Sequence, residues 1–382
     1  MTPLEKSRIV KLAAGDVGFD RVGVTHAGPV DQAEYYRRWL ERGHAGTMHY
    51  LSQNADLREN PAALLDGARS IICVALNYGR AESGTGPPPG TPPNTVENHP
   101  GDGGKARPTP ENPTGRVARY ARGHDYHRVV HGMLRTLIEQ IRAAIDEPFE
   151  ARAFVDTGPL LERQLARSAG IGWIGKNTLV LHERLGSYLF LGEIITTLEL
   201  AADAPTTDHC GTCTRCLDAC PTQAFPEPYK MDASRCISYL TIEHRGEVPE
   251  AFRAVIGDWV FGCDVCQEVC PFNAGAPHGT QPEISADRLP ARLDLVALLR
   301  LRSGEYRRLT KDSATSRARR PMWRRNAAIA LGNAAGGPGN GPRVGDEAVQ
   351  ALQEAARDDD QTVRAAARAA LERARPPDAR PR

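Results

Sequence analysis

Eight of the nine cysteines lie between Cys210 and Cys270, and their spacing limits what this chain can fold around. The run CGTCTRCLDACP places Cys210, Cys213, Cys216 and Cys220–Pro221 in the pattern C-x2-C-x2-C-x3-C-P. That pattern wraps three thiolates around one iron–sulfur cluster and sends the fourth to another. A second set consists of Cys236, Cys263, Cys266 and Cys270–Pro271. It lacks one cysteine of the tight run, and Cys236 replaces it from upstream. Two [4Fe–4S] clusters need eight thiolates, and eight are present. The crosswise pairing of a ferredoxin-like pseudo-twofold assigns Cys210, Cys213, Cys216 and Cys270 to one cluster. Cys220, Cys236, Cys263 and Cys266 take the other. Structural zinc in four-cysteine sites is the competing interpretation, but zinc seldom uses so crowded a run. Cys73, alone in an apolar strand, reads as a small buried side chain.

The 382 residues suffice for two or three domains without disulfide staples. The N-terminus MTPLEKSRIVKLAAGD has no apolar centre of a signal peptide, and no apolar run reaches the length of a membrane span. A soluble, cytoplasmic, monomeric protein is expected, with its cysteines serving metal.

Residues 1–200 alternate helical periodicity (3–14, 31–42, 127–145) with strand-like runs (21–25, 70–78, 116–121, 151–156, 187–200). An α/β or α+β domain with one central sheet follows. Residues 81–115 are too rich in Pro and Gly to bury a core and read as a flexible insertion. A ferredoxin-like segment is expected over 201–284. From 285 to 382 the texture is Arg- and Ala-rich and helical, with DDDQTVRAAARAAL suggesting a short HEAT-like repeat and GGPGNGP (336–342) a loop within it. The expected fold class is therefore α+β overall: an N-terminal α/β reductase-like domain over 1–200, a ferredoxin-like double-cluster domain and a short helical, HEAT-like C-terminus.

Two clusters relay electrons, so the first domain should hold what accepts them. Six phrases carry a specific resemblance: DLRENPAALLDGARSIICVALNY (56–78), RVARYARGHDYH (116–127), FVDTGPLLERQLARSAGIGWIGKNTLV (154–180), GSYLFLGEI (186–194), CISYLTIEHRG (236–246) and FGCDVCQEVCPFN (261–273). Together they resemble the epoxyqueuosine reductases, iron–sulfur and cobalamin enzymes that complete queuosine in the tRNA anticodon loop. The resemblance spans about 4–335, apart from the insertion. It implies a cobalamin cofactor, a tRNA substrate, an external electron donor and electrons passing through both clusters to the corrin. The reductive dehalogenases share that plan, and a non-catalytic electron-transfer ferredoxin is a further alternative. The dehalogenases are usually exported and have no use for a basic segment; a plain ferredoxin would bind no corrin.

By resemblance Asp156, in VDTGP, is the proton donor. Opening an epoxide leaves an alkoxide, which needs an acid, so Asp156 is expected to have a raised pKa. An N-cap for a helix beginning near Leu160 is its structural alternative. The glycines of GIGWIGKNT (170–178) would let backbone approach a large ligand, with Lys176 and Asn177 serving a corrin amide or phosphate. Arg58, Tyr120, Val180, Leu191, Ser238, Asp264 and Val265 complete the expected cofactor contacts. Asp125, Tyr126 and His127 lie in a family phrase, and His127 is not assigned as a cobalt ligand.

The net charge is +1, yet residues 300–325 hold ten Arg or Lys against two acids. Arg317, Arg320, Arg324 and Arg325 beside Trp323 suggest an RNA-binding surface, since cations match phosphates and an aromatic ring packs on sugar or base. A solvated helix face is the simpler alternative.

Overall fold

The computed structural model describes residues 1–80, 113–336 and 344–374. The Pro/Gly-rich insertion expected at 81–115 lies almost wholly outside the described residues, as does the loop beyond Gly336. Thr114 and Gly115, placed in the insertion by composition, instead open a strand, Thr114–Val117, and the RVARYA run continues as a single 3-10 turn.

The first sheet has four strands in the spatial order Arg21–His26, Ser70–Asn77, Leu189–Thr196, Ala151–Phe154. Every pairing is antiparallel, so this domain is α+β and not the α/β arrangement expected for 1–200. Ser70–Asn77 is apolar along its length because both faces are covered. Ile72, Val74 and Leu76 face the helices Pro3–Val17 and Tyr126–Ala144, whereas Ile71, Cys73 and Ala75 face the helix Glu162–Ser168. Cys73 is fully buried there. The two helix starts that matter for chemistry, at Tyr126 and Glu162, emerge at the same end of this sheet.

A second core begins at Val117 and Phe261, passes through Ile237, Leu295 and Trp323, and ends at Ala367 and Ala370. The cysteine segment and the C-terminal helices thus share one interior, and the boundary expected near 285 falls inside it. The helices Arg320–Ala335, Asp346–Ala355 and Gln361–Ala374 pack together. Gly332 lets the first and last touch, since a Cβ there would lie 2.8 Å from Ala370. Asp360 opens the last helix by accepting from the backbone N–H of Thr362 and Val363 at 2.9 and 3.2 Å. Among the described residues no helix is long and apolar enough to cross a membrane.

The basic segment divides differently from its sequence appearance. Arg325 is fully buried, and its guanidinium donates to the carbonyls of His244 and Gly246 (both 2.6 Å) and Leu240 (2.7 Å). Burial lowers its pKa to about 10. Arg324 donates to the Leu299 carbonyl at 2.7 Å and pairs with Asp358 at 2.6 Å. Trp323 is buried, stacked on Phe261 with ring centroids 5.2 Å apart. The expectation that Arg324, Arg325 and Trp323 face RNA is therefore corrected: their helix is a core helix, and the two arginines satisfy carbonyls and a carboxylate inside the protein. Arg320 is half-buried and donates to the Leu301 carbonyl. Arg302, Arg307, Arg308, Lys311, Arg317 and Arg319 are exposed.

Replacing Arg325 by Leu leaves the buried Leu240 carbonyl and the part-buried carbonyls of His244 and Gly246 without their donor, which should cost about 2–4 kcal/mol of unfolding free energy. Arg319→Leu, on the surface, should cost less than about 0.5 kcal/mol. Denaturant titration of the two variants compares them; equal losses would contradict the buried-staple role.

Candidate active site

The eight thiols of residues 210–270 are free of disulfides and stand in two groups of four. Cys216 lies in the field of Cys270, Cys210 and Cys213, and Cys270 in that of Cys210 and Cys213. Cys236 faces Cys220, and Cys263 faces Cys236 and Cys266. Cys266 faces Cys236 and Cys220 and also Cys216 of the first group, so the two groups adjoin. Backbone N–H groups point at the sulfurs: Ala224 at Cys220 (3.3 Å), Ser238 and Tyr239 at Cys236, Val265 at Cys263, Phe272 and Asn273 at Cys270. Such donors suit thiolates that hold a cluster. No three His, Cys, Asp or Glu side chains among the described residues close on a single-ion position.

Asp156 sits on the turn between the strand Ala151–Phe154 and the helix Glu162–Ser168, in a left-handed conformation with φ of 54°. It does not cap that helix, whose N-cap is Leu161. Three contacts hold the turn. The backbone N–H of Asp156 donates to Glu162 Oε1, Arg58 donates to the carbonyls of Gly158 and Leu160 (3.3 and 3.1 Å), and Gly158 lies against the Phe154 ring, where a Cβ would come within 2.7 Å. The carboxylate is 56% exposed and meets His127 Nε2 at 3.1 Å. His127 Nδ1 meets Asp125 Oδ1 at 2.7 Å, and Asp125 also caps the helix Tyr126–Ala144 by accepting from the His127 N–H.

The proton in this cluster is not on Asp156. Burial opposes its ionisation, yet His127, the Tyr126 hydroxyl and Arg317 prevail and hold its pKa below the ordinary value. Burial opposes charging of His127 as well, but hydrogen bonds to Asp125 and Asp156 raise it to about 9. At neutral pH the pair is thus imidazolium and carboxylate, contrary to the raised aspartate pKa expected from sequence. Behind the turn, burial and the charge of Asp156 push Glu162 up to about 7. Glu193, fully buried in the sheet, is raised well above the ordinary carboxyl range by burial and by the charge of Glu162.

Tyr120 stands between the His127–Asp156 pair and the second thiol group, edge-on to Tyr126 and against Phe261 and Gly262. Its ring lies in the field of both Asp156 and Asp264, and Asp264 neighbours Cys263 and Cys266. Asp264 is buried, accepts from the Arg119 N–H at 2.8 Å and is pushed up to about 6 by burial. Tyr126 stacks on Phe190 at 4.2 Å and on His127 at 4.0 Å, and Tyr120 meets Tyr126 edge-on. From the C-terminal segment Arg317 reaches this mouth, pairing with Glu243 at 2.7 and 2.8 Å and lying over the Tyr50 ring.

The other expected contacts are placed as follows. Ser238 and Val265 stand at the second thiol group. Val180 is buried and Leu191 half-buried in the sheet core. Lys176 and Asn177 turn their side chains to the cysteine loops, at Gly211, Cys213 and Cys266. The pairing of His127 with Asp156 is not legible in the sequence, because one histidine carries no spacing signal; the Asp125–Tyr126–His127 triplet opening a helix is the available clue.

A histidine with raised folded pKa binds more protons than the unfolded chain between pH 6.5 and about 9. Its stabilisation is complete below the lower value and lost above the upper one. His127→Gln should therefore cost about 1–2 kcal/mol at pH 6 after allowance for solvent screening, and little at pH 9.5. Denaturation at the two pH values checks this, and equal losses would contradict it.

Comparison with known proteins places this arrangement. The family model described as "Epoxyqueuosine reductase QueG, DUF1730" matches residues 58–157, and the "4Fe-4S double cluster binding domain" model matches 209–273. The epoxyqueuosine reductase of Xanthomonas campestris pv. campestris is 39% identical over 362 residues, covering 95% of this chain and 94% of its own. That of Pseudomonas aeruginosa is 40% identical over 339 residues, covering 87% and 86%. A crystal structure of an epoxyqueuosine reductase with an epoxyqueuosine-modified tRNA-Tyr stem loop superposes with a TM-score of 0.80 at 31% identity, covering 97% of this chain and 90% of that one. With relatives this similar along nearly its whole length, and with the double-cluster segment in place, the chain belongs to the epoxyqueuosine reductase family.

Proposed function

We propose that this chain reduces epoxyqueuosine to queuosine in the tRNA anticodon, with electrons from an external donor passing through two [4Fe–4S] clusters to a cobalamin. The observation that carries the reading is the place of Tyr120, whose ring meets Tyr126 edge-on beside His127 and lies against Phe261 and Gly262, next to Cys263 of the second thiol group. The proton site and the end of the electron path thus meet at one mouth.

The mouth suits a large flat ring. Tyr120 and Tyr126 form a half-buried aromatic floor, Arg317 and Tyr50 stand half-open at the rim, and the Cys220/Cys236/Cys263/Cys266 group lies behind. Ser238, Val265 and the backbone around 176–180 would hold it, with Leu191 packed behind. Bound there, cobalamin supplies a strongly reducing cobalt to the epoxide.

The protein supplies the proton and the geometry. Epoxide opening develops negative charge on oxygen, and the imidazolium of His127 with Asp156 places a proton donor and its relay at the rim of the site. Asp125 fixes the ring of His127, and Arg58 with Glu162 fixes the Asp156 turn. Arg317 adds positive potential where charge develops. The net change consumes two electrons and two protons and releases water. For RNA the exposed cations Arg302, Arg307, Arg308, Lys311, Arg317 and Arg319 match phosphate, and the related structure with a tRNA stem loop supports this use.

The test is anaerobic reconstitution with iron, sulfide and cobalamin, then incubation with reductant and tRNA carrying epoxyqueuosine, followed by mass spectrometry of the nucleosides. Loss of one oxygen mass only when cobalamin is present is expected. No conversion by protein that holds both clusters and the corrin would overturn the reading.

A further inference from the structure

The loop Gly170–Thr178 turns its polar side chains towards the cysteines. Lys176 is 8% exposed, and its Nζ donates to the carbonyls of Gly211 (2.7 Å) and Cys213 (2.9 Å), both within the Cys210–Cys216 loop. The backbone comes equally close: a Cβ on Gly175 would lie 3.5 Å from Cys210 Sγ. Asn177 reaches the other group, its Nδ2 directed at the Cys266 carbonyl at 3.4 Å. One loop therefore touches both thiol groups but brings a cation to only one.

A buried ammonium needs compensating negative charge. The hydrogen-bond partners of Lys176 are neutral carbonyls, and among the described residues no carboxylate lies within ion-pair distance of it. Asp208 senses its charge and accepts from the Cys210 N–H at 2.8 Å, at the edge of the same loop. The missing counter-charge is supplied by four thiolates around a cluster, whose net charge becomes one unit more negative on reduction. A fixed cation bonded to the backbone of the cysteine loop favours the reduced form, and net charge and hydrogen bonding are the protein's main controls over cluster potential. The loop around the first group is also the outer one, with Gly211, Thr212, Thr214 and Arg215 exposed, whereas the second group adjoins Asp264 and Tyr120.

We propose that Lys176 is a potential-setting residue, whose ammonium raises the reduction potential of the cluster held by Cys210, Cys213, Cys216 and Cys270 above that of its neighbour. The outer cluster then takes the first electron from a low-potential one-electron donor and holds it for transfer inward past Cys216 and Cys266. This inference rests on the two-cluster reading but not on cobalamin or tRNA.

The test is a potentiometric titration of the reconstituted full chain, without cobalamin or tRNA, followed by electron paramagnetic resonance. Lys176→Gln keeps donors for both carbonyls and removes the charge; Lys176→Arg keeps the charge. In the Gln variant one of the two midpoint potentials should move negative while the other stays, and the Arg variant should behave as wild type. Unchanged potentials in the Gln variant, or both moving together, would overturn the proposal. Loss of the first cluster from Lys176→Gln and Lys176→Met alike would also overturn it, assigning Lys176 to cluster assembly. Because no substrate is involved, failure here and failure of the proposed reaction are separable.

Discussion

Most of the molecule depends on an exchange between two short loops. Cys270 leaves its own run to join Cys210, Cys213 and Cys216, while Cys220 leaves its run to join Cys236, Cys263 and Cys266. Neither group is complete without the other loop, so metal binding and folding of this segment are coupled. The exchange also fixes what lies around it. Asn273, just after Cys270, accepts from the Ser187 N–H at 2.7 Å, and Gln267 donates to the Ser187 carbonyl at 3.0 Å, which docks the cysteine segment on the first domain. On the other side Phe261, two residues before Cys263, stacks on Trp323 and joins the C-terminal helices to the same interior.

This docking brings an acid–base cluster to the inner thiol group. Asp125, His127 and Asp156 come from two segments joined only by folding, and their order of proton affinity follows from surroundings. His127 has carboxylates at both ring nitrogens; Asp156 has an imidazolium, a hydroxyl and a guanidinium nearby. Glu162 and Glu193 have chiefly burial and each other, so they retain a proton at neutral pH. The result is a site with mobile protons at its rim and a held proton behind it. Its left-handed aspartate, a conformation that costs about 1–2 kcal/mol for most residues and less for Asp, persists because Glu162 and Arg58 hold the turn.

Local chemistry was legible in the sequence and long-range partnership was not. The cysteine spacing identified a double-cluster segment, and the apolar runs located the strands of the main sheet within a few residues. Strand pairing has no local signature, and only the structure shows that all four strands are antiparallel. The Arg-rich helix misled for the same reason. Arg324 and Arg325 have the composition of a nucleic-acid surface, but their acceptors lie up to 85 residues away in sequence. The acceptors of Lys176, the carbonyls of Gly211 and Cys213, are backbone atoms with no residue-type signal, so its place at the cysteine loop is not legible in the sequence. The state of Asp156 was misjudged because its partner His127 lies on another element, and a pKa is a property of neighbours.

The central claim is that Asp156, with His127, delivers the proton at the end of the electron path. The most direct measurement is single-turnover conversion of epoxyqueuosine tRNA by wild type and Asp156→Asn, each first shown to carry reduced clusters and cobalamin and to bind the tRNA. Product is expected from the wild type, and a rate at least about 100-fold lower from the variant. Conversion by Asp156→Asn at the wild-type rate would contradict it.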